Sequence, residues 1–152
     1  MPSYNQSTMI HQQILKIINQ LKRIDGRTSP WSASYTFNWD LHDNVLPHDE
    51  FIENINSFPC VMFTADNTVI RHIGGGERYA VISFLIRGIT WSDDVEEGGD
   101  LLADDIEHAL SRIKEEHPEF EEVRLDTVQT DEGLNRPFGA TLIRGTLVYR
   151  HD

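Results

Sequence analysis

The residues able to do chemistry are few and scattered. Seven histidines stand at positions 11, 42, 48, 72, 108, 117 and 151, and no two share a convincing ligand spacing. Zinc sites normally draw on paired Cys and His at short fixed intervals. The densest cluster, His48-Asp49-Glu50, lies in a loop segment and reads as three solvated residues. Asp104 and Asp105 are adjacent on a helix, where neighbouring side chains point about 100° apart and do not converge on one ion. Both are assigned to the solvated face. Ser, His and Asp all occur, but no Gly-x-Ser-x-Gly elbow presents a nucleophile. Gly74-Gly75-Gly76-Glu77-Arg78 has no Gly-Lys-Ser/Thr after it and leads into a strand, so it reads as a hairpin tip rather than a phosphate cradle. Cys60, the single cysteine, excludes an internal disulfide; within Phe-Pro-Cys-Val-Met-Phe it reads as a buried, inert thiol. No catalytic residue, metal or cofactor is expected.

The elements that would position these residues are clearest in the second half of the chain. Tyr79-Ala-Val-Ile-Ser-Phe-Leu-Ile-Arg-Gly-Ile-Thr-Trp91 is a long strand, with Ala80, Ile82, Phe84 and Ile86 on one face. Tyr79, Val81, Leu85, Ile89 and Trp91 lie on the other, which predicts a central strand covered on both sides. An acidic loop to Gly99 follows, then a helix that Asp100 can cap and Pro118 stops. Its apolar stripe is Leu102, Ile106, Ala109, Leu110 and Ile113. Burying the four largest of these contributes roughly 6–12 kcal/mol before entropy is charged. Val123–Val128 and Ala140–Arg150 are two closing strands, separated by the turn-rich loop Thr-Asp-Glu-Gly-Leu-Asn-Arg-Pro-Phe-Gly.

Earlier in the chain, residues 7–24 form an amphipathic helix with Ile10, Ile14, Ile17, Ile18 and Leu21 on its stripe and Gly26 at its end. Trp31–Asp40 alternates apolar with polar and reads as a half-buried strand. Pro47 opens either a short helix carrying Phe51, Ile52 and Ile55 or a loop. Phe-Pro-Cys-Val-Met-Phe and Thr68–Ile73 are two further strands, the second paired with the long strand through the triple glycine. Fourteen extended residues from Arg78 to Trp91 would reach about 45 Å, so part of this hairpin projects from the body or bends at Gly88. The fold class is α+β: a single domain over residues 1–152, with a mixed, mostly antiparallel sheet packed by two main helices and a projecting β-hairpin.

Thirteen basic against 25 acidic residues give a net charge of −12. Tight, nonspecific binding to a phosphate backbone needs clustered Lys and Arg, and this balance argues against it. The first residues lack the basic-then-apolar order of a signal peptide, and no apolar stretch approaches the roughly 20 residues of a membrane span. A soluble protein made in a cytosol is expected, with no membrane partner.

The order of these pieces resembles that of the tail terminator (tail completion) proteins of long-tailed bacteriophages, the lambda tail terminator family. The chain begins with the helix Gln-Gln-Ile-Leu-Lys-Ile-Ile-Asn-Gln-Leu-Lys-Arg-Ile; Phe-Pro then opens the strand Phe-Pro-Cys-Val-Met-Phe. A long strand ends before an acidic loop, a helix follows as Leu-Leu-Ala-Asp-Asp-Ile-Glu-His-Ala-Leu, and a strand leads into Thr-Asp-Glu-Gly. The last strand ends Leu-Val-Tyr-Arg. The likeness covers nearly the whole chain, leaving the Trp-rich stretch 31–39 and the triple glycine unmatched. It implies a structural virion protein, not an enzyme, that caps the growing tail tube as a homo-oligomeric, hexameric ring. There it stops polymerisation and offers the joining surface for the head-side connector or stopper. The partners implied are the tail tube protein and that connector, with DNA passing through the lumen without specific binding. The place implied is the neck of the virion, assembled in the host cytoplasm. The acidic balance suits such a lumen and equally suits simple solubility. Contacts with subunits or tube are expected at the hairpin and the turn-rich loop: Arg71, His72, Gly74, Gly75, Gly76 and Arg78, with Asp131, Glu132 and Arg136. Two alternatives stay open, a head-side neck adaptor or stopper and, from another class, a small acidic metal-dependent hydrolase using carboxylates around His48 or Asp104.

Overall fold

The computed structural model describes residues 6–41, 43–73, 77–91, 95–131 and 138–150. In chain order the elements are α1 (Gln6–Leu21), β1 (Val45–Leu46), a 3-10 turn (Ile52–Asn54), β2 (Cys60–Ile73) and β3 (Glu77–Trp91). After them come α2 (Val95–Ser111), α3 (Ile113–Glu116), β4 (Phe120–Asp131) and β5 (Phe138–Arg150). One sheet has the order β1-β2-β3-β5-β4, antiparallel throughout except for the parallel pair β1–β2. The α+β class with two principal helices is as the sequence leads one to expect.

β3 lies at the centre. It pairs with β2 from Glu77 to Ile89 and with β5 from Tyr79 to Trp91. Most of the long hairpin is therefore built into the sheet, and only the His72–Arg78 and Ile73–Glu77 pairs extend past the end of β5 at Arg150. Gly88 serves close packing: a Cβ there would stand 2.6 Å from Leu102 Cδ2 and 2.9 Å from Thr141 Cγ2. β2 is one continuous strand where two were expected. The polar stretch around Asp66 is a bulge between Ala65 and Asn67, which interrupts the alternation without ending the strand.

Both long helices pack on the same face. Val61, Phe63, Ala80, Ile82, Phe84, Ile86, Ile143 and Leu147 of the sheet join Ile17, Ile18 and Leu21 of α1 in one core. Leu102, Ile106, Ala109, Leu110 and Ile113, the stripe foreseen for the main helix, complete it. The glycine of β5 at Gly145 leaves room for Phe84, whose ring atoms would lie 2.4 and 2.6 Å from a Cβ there. Among the described residues, the opposite face is covered only at one end, where Leu46, Ile55 and Phe58 pack on Cys60, Met62 and Ile89. The expected cover on both sides of β3 is thus absent over Tyr79, Val81 and Leu85, which remain half-exposed.

Two further expectations are corrected. The main helix begins at Val95, before Gly98 and Gly99, so Asp100 lies inside it rather than capping it. Those glycines read as a loop, yet both are buried, and a Cβ on Gly99 would meet Thr130 Cγ2 at 2.8 Å and Ala140 O at 3.4 Å. Small residues let the helix approach β4 and β5 closely. Trp31–Asp40 is not a strand. It is a run of turns tied by the single bridges Thr28–Thr36 and Asp25–Asp40, with Gly26 in the left-handed region at φ 76°. Its alternation survives as inward-facing aromatics: Phe37 is buried, and Trp31, Tyr35 and Trp39 pack half-buried against the core.

Candidate functional site

Of the residues singled out in the sequence, those that the structure describes fall into two groups at opposite ends of the sheet. Arg71 and His72 lie near the end of β2, opposite Tyr79 and Arg78. Asp131 closes β4 opposite Ala140, on the rung that includes Ile89. Gly74, Gly75, Gly76, Glu132 and Arg136 lie outside the described residues. Along β3 the two groups stand about 33 Å apart, at the usual rise per residue of a strand. They do not form one site; they mark two ends of an elongated sheet.

Between those ends lies a surface that the sequence reading missed, the open face of the sheet. Its register sets Val69, Val81, Val148 and Glu122 on one rung; Ser83, Thr146 and Arg124 follow. The next rungs are Thr64, Leu85, Arg144 and Thr127, then Met62, Arg87, Leu142 and Gln129. Val81, Leu85, Leu142 and Val148 are half-exposed, and Val69 is 45% exposed. Arg87 pairs with Asp49 at 3.3 Å, and Arg124 pairs with Asp126, which also accepts from Thr146 Oγ1 at 2.8 Å. Arg144 is exposed at the middle of β5. Arg87, Gln129, Ala140 and Leu142 line a shallow depression of about 590 Å³ with Thr130 and Thr141. At the covered end, Phe51 and Trp91 are 69% and 55% exposed, and Trp91 leans on Phe58 with ring centroids 6.2 Å apart. The signal that could have found this face was the mixed composition of the second face of β3, where Ser83 and Arg87 interrupt the apolar residues.

The chemistry-bearing side chains gather beneath the aromatic segment instead. Asp105, assigned together with Asp104 to the solvated face, is 0% exposed. It sits beside the buried stripe of α2 and accepts from the Tyr35 hydroxyl at 2.8 Å, Asn38 Nδ2 at 3.0 Å, and the backbone N–H groups of Asn38 and Trp39 at 3.0 and 2.9 Å. Burial pushes its carboxyl above the usual range, while these donors pull the other way. Burial and the bond to Asp105 together push the Tyr35 hydroxyl upward. Tyr35 stacks on His108 with centroids 4.0 Å apart, and His108 Nε2 is 2.7 Å from Ser29 Oγ. Burial, and then the nearby Arg112, hold His108 below its ordinary value.

A serine within reach of a neutral histidine is half of a nucleophilic pair, but its setting is structural. Ser29 is 6% exposed, its Oγ accepts from Trp31 N at 3.1 Å, and the Asp105 carboxylate is spent on Tyr35, Asn38 and Trp39. Trp31 extends the cluster, its ring 4.9 Å from the Arg23 guanidinium and its Nε1 donating to Glu116 at 3.2 Å. Elsewhere, Glu50 is held below its usual range first by Asn54 and then by the Phe51 N–H, which makes it part of a local turn. Its nearest oxygen is 3.7 Å from His48 Nε2. Among the described residues, no three His, Cys, Asp or Glu side chains converge in a way that could hold a metal ion. Cys60 is 0% exposed, and burial pushes its thiol up to about 11. No helix among the described residues is long and apolar enough to cross a membrane. No protein-family profile matches the chain, and no curated protein matches it in sequence.

Proposed function

We propose that this chain is a tail terminator of a long-tailed bacteriophage: a structural protein that assembles as a ring, hexameric in the family it resembles, on the end of the tail tube. It halts polymerisation there and presents a joining surface to the head-side connector. The observation that carries the reading is the order of the motifs: the N-terminal helix, Phe-Pro into the central strand, the long strand, Leu-Leu-Ala-Asp-Asp-Ile-Glu-His-Ala-Leu, Thr-Asp-Glu-Gly and the terminal Leu-Val-Tyr-Arg. The elements α1, β2, β3, α2, β4 and β5 carry these motifs in that order. A sheet with distinct groups at its two ends also suits a protein that must meet the tube with one surface and the connector with another. We assign it no reaction, since the Ser29–His108 pair seen among the described residues is held within the aromatic packing.

The test is a phage lacking this protein. Tail tubes grow by adding identical rings through one heterologous surface, so growth does not stop by itself. Micrographs of the mutant lysate should show complete, DNA-filled heads beside unattached tails, many longer than normal. Tails of normal length with heads that lose their DNA would instead place the protein among the neck adaptors or stoppers.

A further inference from the structure

The exposed stripe of α2 and the open face of the sheet differ in the charge they leave unpaired. On the helical side, Asp100, Asp104 and Glu107 recur along the exposed stripe of α2, Asp100 accepting from Thr130 Oγ1 of β4 at 2.8 Å. Among the described residues, none of them has a Lys or Arg partner at ion-pair distance. Asp104 and Glu107 stand one turn apart, where like charges repel; burial first, and then Asp104, holds the Glu107 carboxyl above its usual range. On the open side, the central rungs bring Arg87, Arg124 and Arg144 together across β3, β4 and β5, with Val81, Leu85, Leu142 and Val148 half-exposed among them. Arg144 has no carboxylate at ion-pair distance among the described residues. Arg87 and Arg124 are paired with acids, so on this face Arg144 is the cation left over.

We propose that the open face of the sheet docks the acidic α2 stripe of a second copy of this chain, so that copies associate head to tail. The inference rests on the ring reading above and names the contact that would build the ring. Two different surfaces meet, so the interface is heterologous, and repeating it closes a ring or extends a filament. A two-fold dimer through the α2 stripe would set its carboxylates against one another. From Tyr79 to Arg87 across four strands the open face measures about 26 by 19 Å. That is roughly 500 Å², more than half of the ~800 Å² per partner in a standard interface. The half-exposed apolar side chains supply attraction, and Arg144 against Asp104 and Glu107 sets orientation.

Sedimentation velocity on the full chain, alone and with purified tail tubes, tests this with charge reversals on each side. Arg144→Glu, and Asp104→Arg with Glu107→Arg, should each raise the concentration needed for assembly about ten-fold. Combining all three reversals in one chain should restore assembly to the original concentration. Thermal melting of each variant checks that its fold is intact. Unchanged assembly in both single-side variants would overturn the contact while leaving the ring in place. Assembly lost in each and not restored by the combination would overturn the complementarity. A wild-type chain that stays monomeric at every concentration, and beside tubes as well, would remove the ring reading together with the contact.

Discussion

The Asp105 carboxylate fastens the segment from Ser29 to Asp40 to α2, through partners 66 to 70 residues away in the chain. Replacing it with Ala leaves the Tyr35 hydroxyl, the Asn38 amide and two backbone N–H groups without their acceptor. This should cost about 3–5 kcal/mol in urea unfolding. Asp105→Asn keeps one acceptor and removes the charge. Burial holds the folded carboxyl above the ordinary value near 3.9, so the folded state binds its proton more tightly. That contribution is fully present below about pH 4 and is lost as pH rises through the raised folded value. The stability gap between wild type and Asp105→Asn should therefore narrow from pH 4 to pH 7; a gap that widens would contradict the raised value. None of this was legible from the Asp104-Asp105 pair. Local spacing separates buried from solvated helix positions only coarsely, and the donors that make Asp105 tolerable lie in another segment. Cys60 was legible because its own neighbours, Pro59, Val61 and Met62, already describe a buried strand.

The α2 stripe was readable because it depends on 3.6-residue periodicity alone. Leu110 is 1% exposed and Glu107 is exposed. Leu110→Asp buries a charge in the core and should abolish soluble folding, whereas Glu107→Lys should change stability by less than about 1 kcal/mol. Soluble expression and thermal melting of the two variants check this, and equal tolerance of both would mean the face is misassigned. Where elements were misread, a tertiary contact outweighed a local signal. Gly98 and Gly99 look like breakers, but the helix runs through them because β4 and β5 press against it. The alternation of Trp31–Trp39 looks like a strand, but the amides of Asn38 and Trp39 are given to Asp105. The aromatic rings face inward without a ladder.

At the scale of the whole molecule, the fold class could be read from the sequence and the one-sided covering of the sheet could not. Apolar residues on both faces of β3 imply burial on both sides, yet Val81 and Leu85 stay half-exposed because both long helices share one face. The sheet's edges make the next expectation. β3 has hydrogen-bonding neighbours on both sides from Tyr79 to Ile89, whereas β2 has β1 beside it only at Val61 and Met62. In the monomer, amide exchange should be slowest along β3 and much faster at the outward-facing amides of β2 beyond Met62. Equal rates in the two strands would show that β2 is covered there.

The placing of β5 has a consequence during synthesis. Tyr79 finds its β5 partner only at Arg150, and Trp91 finds its own at Phe138. The β2–β3 hairpin therefore leaves the ribosome with only α1 made of the two helices on that face, so Ile82, Phe84 and Ile86 still lack the cover of α2 and the strand that closes them. With roughly 60 residues still to be added at about 5–20 per second, the exposure lasts several seconds. Slowing translation across α2 should lengthen that interval and lower the soluble yield, with no change to the finished protein.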